Sequence, residues 1–195
     1  LNPELVINFY NERRKQLLDV VPNAGHLGVA DLERDFNVTV VTQNVDNLHE
    51  RAGSTHVIHL HGELTKVCSS RDPYNPHFVK ELAPEEYEVK LGDKAGDGTQ
   101  LRPFIVWFGE SVPEIETAIR YVEQADIFVI IGTSLNVYPA AGLLNYVPRA
   151  AEVYLIDPKP VDTHVMRPIH VIQKGASEGV KELKALLTAT QPPLP

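Results

Sequence analysis

Three short stretches hold side chains whose types and spacing could do chemistry. In Thr42-Gln43-Asn44-Val45-Asp46, two amides and a carboxylate come directly after a β-branched apolar run. Such groups can hydrogen-bond ribose hydroxyls and a carboxamide, the contacts a nucleotide pocket needs. The same residues commonly cap the segment after a strand, and both readings stand on sequence alone. Gly132-Thr133-Ser134 comes after D-I-F-V-I-I. Its glycine admits a close backbone approach and its two hydroxyls can meet phosphate or ribose, although an ordinary turn uses the same residues. His56, His59 and His61 lie in H-V-I-H-L-H-G, and an imidazole titrating near about 6.5 is the natural base at neutral pH. In an extended chain His59 and His61 share a face. A metal would ask for three or four ligands, and the carboxylates nearby are Glu50 and Glu63.

These groups need a frame. Asn2-Pro3-Glu4 ahead of L-V-I-N-F-Y-N-E-R-R-K-Q-L-L reads as a helix start, with an apolar stripe at Leu5, Phe9 and Leu17 and a polar face at Arg13, Arg14 and Lys15. Tyr10 and Arg13 are three apart and so neighbours on that helix. A phenol beside a guanidinium could bind a carboxylate, although surface helices carry such pairs without function. A second helix is expected over 26–36 and strands over 38–42 and 56–62. From 63 to 102, Pro, Gly, Tyr and charged residues crowd together with little periodicity, which suggests an inserted module. Strand signals return at 104–108, 127–131, 153–156 and 171–172, interleaved with helices over 113–123, 140–146 and 177–187. That alternation is what a parallel α/β fold requires, and ligands in such sheets bind where strands end.

A chain of 195 residues allows one domain, or one with a small insert. With 18 Lys+Arg against 26 Asp+Glu the net charge is −8, the wrong sign for generic attraction to nucleic acid or anionic lipid. Cys68 is the only cysteine, which excludes an intramolecular disulfide and a zinc site built on several thiolates. The longest apolar run, 127–131, falls far short of the roughly 20 residues of a membrane helix, and no charged-then-apolar leader opens the sequence. A cytoplasmic protein without nucleic-acid or membrane partners is expected.

In order and rough spacing, T-Q-N-V-D-N-L-H-E-R-A-G, H-L-H-G-E-L, V-W-F-G-E and G-T-S-L-N-V-Y-P-A-A-G resemble the sirtuins, the NAD-dependent protein lysine deacylases, from Leu1 to about Leu187. F-Y-N-E-R resembles the Tyr-x-x-Arg pair of the bacterial desuccinylase and demalonylase class. The resemblance implies a doubly wound, mostly parallel Rossmann-like NAD-binding domain formed by 1–62 and 103–190, a small module inserted at 63–102, and a flexible tail at 191–195. It makes His61 the general base acting on the NAD ribose, with Asn44 beside it. Gln43 and Asn44 would hold that ribose, Val45 would lie alongside, and Asp46 would hold the nicotinamide carboxamide. Gly132, Thr133 and Ser134 would meet the adenosine side, together with Leu155, Ile156, Asp157 and Ala176. Val106, Trp107, Phe108, Gly109 and Glu110 would pair with the substrate backbone opposite Leu135–Tyr138, including Val137 and Tyr138. Tyr10 and Arg13 would favour acidic acyl groups. The implied enzyme, a monomer, takes acyl groups (acetyl, succinyl or malonyl) from protein or peptide lysines with NAD as co-substrate, yielding nicotinamide and O-acyl-ADP-ribose.

Two departures from the family pattern stand out. Most sirtuins hold zinc through two Cys-x-x-Cys pairs in the insert, whereas this one has Cys68 alone, in V-C-S-S-R-D-P-Y-N-P-H. A zinc-free insert held by packing and hydrogen bonds is expected. The glycine-rich G-A-G-x-S segment and Phe-Arg loop that open the family do not stand ahead of Leu1, so the first strand of the sheet is missing and a preceding segment is expected in the natural protein. Two other function classes compete. One is a catalytically weak binder of NAD or ADP-ribose. The other is a metal-dependent phosphoesterase on the histidine cluster, which leaves Q-N-V-D, F-G-E and G-T-S unexplained.

Overall fold

Asn2 caps the first helix as its sequence dictates: its Oδ1 accepts the Leu5 N–H at 3.2 Å, and Pro3 opens α1 (Pro3–Asp19), where a missing N–H costs nothing. In the computed structural model, which describes residues 2–133, 140–162 and 164–189, α1 precedes α2 (Ala24–Asp31), β1 (Val40–Thr42), α3 (Leu48–Ala52), β2 (Val57–His59), β3 (Gly62–Ser69), β4 (Lys80–Glu81) and β5 (Leu101–Ile105). Then come α4 (Ile115–Val122), β6 (Ile127–Ile131), β7 (Glu152–Ile156), β8 (His170–Ile172) and α5 (Ala176–Ala189). The tail expected at 191–195 lies outside the described residues. The chain groups into two compact units, one of Leu1–Val21, Val41–Leu48 and His59–Pro113, the other of Pro22–Val40, His49–Ile58 and Glu114–Pro195. β1 and β2 pair as a two-stranded sheet.

The first unit is built on an antiparallel sheet in the order β4-β3-β5, so the aperiodic stretch 63–102 contains most of an eight-residue strand that its composition conceals. Val67, Cys68 and Ser69 of β3 are fully buried and lie opposite Pro103, Arg102 and Leu101. At the start of β3, Gly62 has φ +91°, and a Cβ there would stand 2.0 Å from the Phe104 carbonyl oxygen. Only glycine fits that crossing. Cys68 donates towards the Pro103 carbonyl at 3.7 Å, and burial pushes its thiol up to about 11, which makes it an inert core residue.

Helix α1 lies against this unit by a face that shares only Leu17 with the expected apolar stripe. Leu5 and Phe9 are 67% and 53% exposed, while the inward row is Ile7, Asn11, Arg14 and Leu17. Ile7 packs with Val67 and Val89, flanked by Leu82 and Leu101. Arg14, expected on the polar face, is 3% exposed. The reason is its set of partners. Arg14 Nε donates to the Tyr87 carbonyl at 2.7 Å, Nη1 to the Leu64 carbonyl at 3.4 Å and Nη2 to Asn11 Oδ1 at 2.7 Å. Asn11 in turn donates to the Val89 carbonyl at 2.7 Å and accepts the Val89 N–H at 2.9 Å. Burial draws the guanidinium down to about 10, so it stays charged at neutral pH. A second knot closes the turn beyond β3. The Ser69 hydroxyl donates to Asp97 Oδ2 at 2.5 Å and accepts the Arg71 and Asp72 N–H groups, each at 3.0 Å.

The second unit carries the parallel sheet β6-β7-β8, in register from Ile127 opposite Glu152 to Ile131 opposite Ile156 and from Tyr154 opposite His170 to Ile156 opposite Ile172. Its core joins Val29 and Leu32 to Tyr154, Ile156, Ile172, Val180, Leu183 and Leu187. Two glycines set the helix approach. A Cβ on Gly28 would meet Val180 Cγ1 at 2.8 Å, and one on Gly179 would meet Ile156 Cγ2 at 2.2 Å. The helix expected over 26–36 starts at Ala24 and tightens into a 3-10 turn at Leu32–Arg34, and the segment Ala140–Tyr146 is wholly 3-10. No described helix is long and apolar enough to cross a membrane.

The first unit yields two expected outcomes. Arg14→Met leaves buried carbonyls without donors and should lower the unfolding free energy by about 2–4 kcal/mol, whereas Arg13→Met on the exposed face should change it by no more than about 0.5 kcal/mol. Urea unfolding of both variants measures the contrast. Asp97 is held down at about 2 by hydrogen bonds from Ser69 and Thr99. The unfolded chain takes up this proton near its ordinary value of 3.8, so the contribution is present above about pH 4 and is lost as pH falls towards 2. Asp97→Asn should flatten the acid limb of stability over that window.

Candidate functional site

The loop leaving β1 is fastened to the segment leaving β2. The Leu60 N–H donates to the Thr42 carbonyl at 3.0 Å, the Leu64 N–H to the Val45 carbonyl at 2.7 Å, and the Asn44 N–H to Thr42 Oγ1 at 3.0 Å. His59 is buried, with Nδ1 3.0 Å from the Asn44 carbonyl. These contacts hold Gln43, Asn44, Val45 and Asp46 beside the segment that carries His61. Asp46 caps the start of α3, its Oδ1 accepting the Leu48 N–H at 3.0 Å. Asn44 caps nothing, and its exposed side-chain amide has no partner among the described residues.

The three histidines part company. β2 ends at His59, and Leu60 and His61 form a turn, so the strand alternation that would give His59 and His61 one face does not reach His61. His56 Nδ1 lies 3.0 Å from Thr39 Oγ1, and its ring meets Tyr121 edge-on at 4.6 Å. His59 is tied to Asn44. His61 is half-buried between buried Leu60 and buried Gly62, and its carbonyl is clamped by the Val106 N–H at 2.9 Å. Its backbone is thus fixed, while its ring bonds to no described residue.

The stretch expected as an edge for substrate, 106–110, is a closed turn. β5 ends at Ile105, the Val106 N–H is spent on His61, and the Glu110 N–H returns to the Trp107 carbonyl at 3.0 Å. Glu110 accepts from Arg102 at 2.8 and 3.1 Å and from the Trp107 N–H at 2.9 Å. That pairing with Arg102 holds its carboxyl below the usual range. The Arg102 guanidinium stands 3.7 Å over the Trp107 ring. Phe108 is fully exposed and Gly109 has φ +89°, so these two residues form the outward tip. Trp107 Nε1–H donates to Tyr10 Oη at 3.0 Å. Arg13 is exposed, 5.3 Å over the Phe9 ring.

In the second unit Gly132, Thr133 and Asp157 come directly after strands of the parallel sheet. Gly132 succeeds β6 with φ +64°, and its N–H donates to the Ile156 carbonyl at 3.0 Å. A Cβ there would meet nothing within 4 Å, so the backbone angle, not packing, calls for glycine. Thr133 is next in the chain. Asp157 succeeds β7, its N–H donating to the Ile172 carbonyl at 3.3 Å, and Ala176 opens α5. Leu155 and Ile156 are buried core side chains, leaving only their main chain to meet a ligand. Ser134, Val137 and Tyr138, with the rest of 135–138, lie outside the described residues.

The pairing of Arg102 with Glu110 and the inward use of Asn11 and Arg14 escape sequence reading. Arg102 meets its partner across a turn, and Arg14 finds acceptors at Leu64 and Tyr87, so neither contact leaves a periodic signal. V-W-F-G-E does mark Glu110 as a residue of interest.

The Sir2 family profile matches residues 2–139. A relative from Bacteroides thetaiotaomicron, named NAD-dependent protein deacylase, is 83% identical over 186 residues, covering 95% of this chain and 80% of its own length. One of the same name from Helicobacter pylori is 47% identical over 93% of this chain and 77% of its own length. Among solved structures, a Sir2 homolog–NAD complex superposes with a TM-score of 0.80 at 36% identity, over 97% of this chain and 74% of the other. Sir2Tm bound to a propionylated peptide gives 0.76 at 27% identity, over 96% and 80%. With its pinned Q-N-V-D loop, its α/β architecture and these likenesses, the chain belongs to the Sir2 family, the sirtuins.

Proposed function

We propose that this chain removes acyl groups from protein lysines with NAD as co-substrate, that His61 is its general base, and that Tyr10 and Arg13 favour acyl groups ending in a carboxylate. The observation that carries the reading is the state of the histidines: His56 and His59 are engaged, and His61 presents a ring without a described partner on a clamped backbone. A base must reach a sugar hydroxyl without first breaking a bond of its own. The relatives named as deacylases span this chain almost throughout, which argues against the weak-binder alternative. Among the described residues no possible metal-ligand cluster joins two of these histidines, His59 grouping instead with Glu50 and Glu63, which argues against a phosphoesterase centred on the three rings.

The residues suit a dinucleotide. In the first unit Asn44 offers an unspent amide and Asp46 a carboxylate; in the second, taken by itself, Gly132 offers an open backbone at the end of a parallel strand, the place where such sheets bind nucleotides. NAD supplies an electrophilic ribose carbon when bound. His61 would draw a proton from a ribose hydroxyl, Asn44 and Gln43 would orient that sugar, and Asp46 would receive the carboxamide. Phe108 and Gly109, at the tip of the closed turn, would meet the substrate backbone, with Val106 behind them. Glu110 would serve by holding the turn. The chain would act as a cytoplasmic monomer.

Incubation with NAD and matched acetyl-lysine and succinyl-lysine peptides, with mass spectrometry as the readout, should yield O-acyl-ADP-ribose. His61→Tyr should lower turnover about 10²–10⁴-fold, the usual weight of a general base. Retained turnover would remove His61 from the role. Arg13→Met should cut kcat/KM for the succinyl peptide about tenfold or more, as befits one lost charge-assisted hydrogen bond, and spare the acetyl peptide. Equal losses on both would refute the acidic-acyl reading.

A further inference from the structure

Trp107, the only tryptophan of the chain, is held at three points. Its N–H bonds Glu110 at 2.9 Å, its ring lies 3.7 Å beneath the Arg102 guanidinium, and its indole N–H bonds Tyr10 Oη at 3.0 Å. Arg102 cannot drift, because Glu110 grips it by both oxygens and the Ile105 carbonyl takes a further bond at 2.7 Å. Its side chain is 11% exposed. The last contact in this chain of bonds fixes a direction. An indole N–H can only donate, whereas a phenol hydroxyl can accept at its oxygen and at the same time donate its one proton. With the indole proton on its oxygen, Tyr10 is an acceptor on that side and keeps its own proton for another partner. Among the described residues it donates to none.

We propose that Trp107 is a positioning residue that sets the polarity of the Tyr10 hydroxyl, turning it into a donor towards the acyl group and so selecting acyl chains that end in an acceptor. A succinyl or malonyl carboxylate accepts that proton, whereas an acetyl methyl cannot. This rests on the assignment of Tyr10 to the acyl group made above. It adds that the preference is maintained through Trp107, Arg102 and Glu110, none of which needs to touch the acyl chain.

The test measures the ratio of kcat/KM for succinyl-lysine and acetyl-lysine peptides in Trp107→Phe, Tyr10→Phe and the double variant. Phenylalanine keeps a ring beneath Arg102 and removes only the indole donor. Trp107→Phe should lower the ratio about three- to tenfold, Tyr10→Phe at least as much, and the double variant no further than Tyr10→Phe, as one lost hydrogen bond in a shared contact requires. If Tyr10→Phe lowers the ratio and Trp107→Phe leaves it unchanged, the positioning role is overturned and the Tyr10 assignment survives. If Tyr10→Phe itself leaves the ratio unchanged, both fall. Additive losses in the double variant would also overturn the role, since Trp107 would then act elsewhere. Should Trp107→Phe fail to fold, the otherwise unaltered chain serves as its own probe. Saturating succinyl-lysine peptide should shift the Trp107 emission more than acetyl-lysine peptide does, and Tyr10→Phe should abolish the difference. Equal shifts in the unaltered chain overturn the proposal.

Discussion

The first unit depends on a charge buried by one helix. Arg14 lies at the centre of a set of hydrogen bonds that ties α1 to the backbone at Leu64, Tyr87 and Val89, with Asn11 completing the set. A buried guanidinium is costly unless its donors are met, and these carbonyls meet them. The cost of burial is visible in the guanidinium's lowered affinity for its proton. In return, a segment poor in periodic apolar residues acquires a fixed position against Ile7 and Val67. Cys68 is the only cysteine, and the directional contacts described in this unit include those of Arg14, Asn11 and the Ser69–Asp97–Thr99 knot.

The second unit is held in the opposite manner, by close apolar approach. Gly28 and Gly179 remove side chains where Val180 and Ile156 need room, so helix meets helix and helix meets sheet at backbone distance. That closeness orders the carboxyl ends of β6 and β7, where Gly132 and Asp157 emerge. A side chain at either packing glycine would shift the edge on which the nucleotide reading depends.

Much of this was legible in the sequence where local pattern sufficed. β6 falls on 127–131 as the apolar run indicates, α1 begins at its asparagine–proline cap, and β7, β8 and α5 lie close to expectation. The pattern failed where a distant partner decided the outcome. Arg14 looks like a surface cation because its carbonyl acceptors come from Leu64 and Tyr87, and β3 looks like loop because its strand is completed by β5, far along the chain. The candidate site was legible as a set of motifs. The spacing alone did not separate His59 from His61, which differ in their partners; only the family resemblance singled out His61.

That difference gives a physical way to separate frame from chemistry here. Glu110, His56 and His59 carry reactive groups, yet each is committed to a protein partner that holds it in place. Asn44 and His61 stand on equally fixed backbone and keep their side chains uncommitted among the described residues. Tyr10 falls between the two classes, with its oxygen taken and its proton left. A rigid surround with a few unspent donors and acceptors is what preorganisation requires, because no bond must be broken before a ligand is met. The same frame explains why Arg102 and Glu110, which offer little to a ligand themselves, bear on what the neighbouring phenol can do.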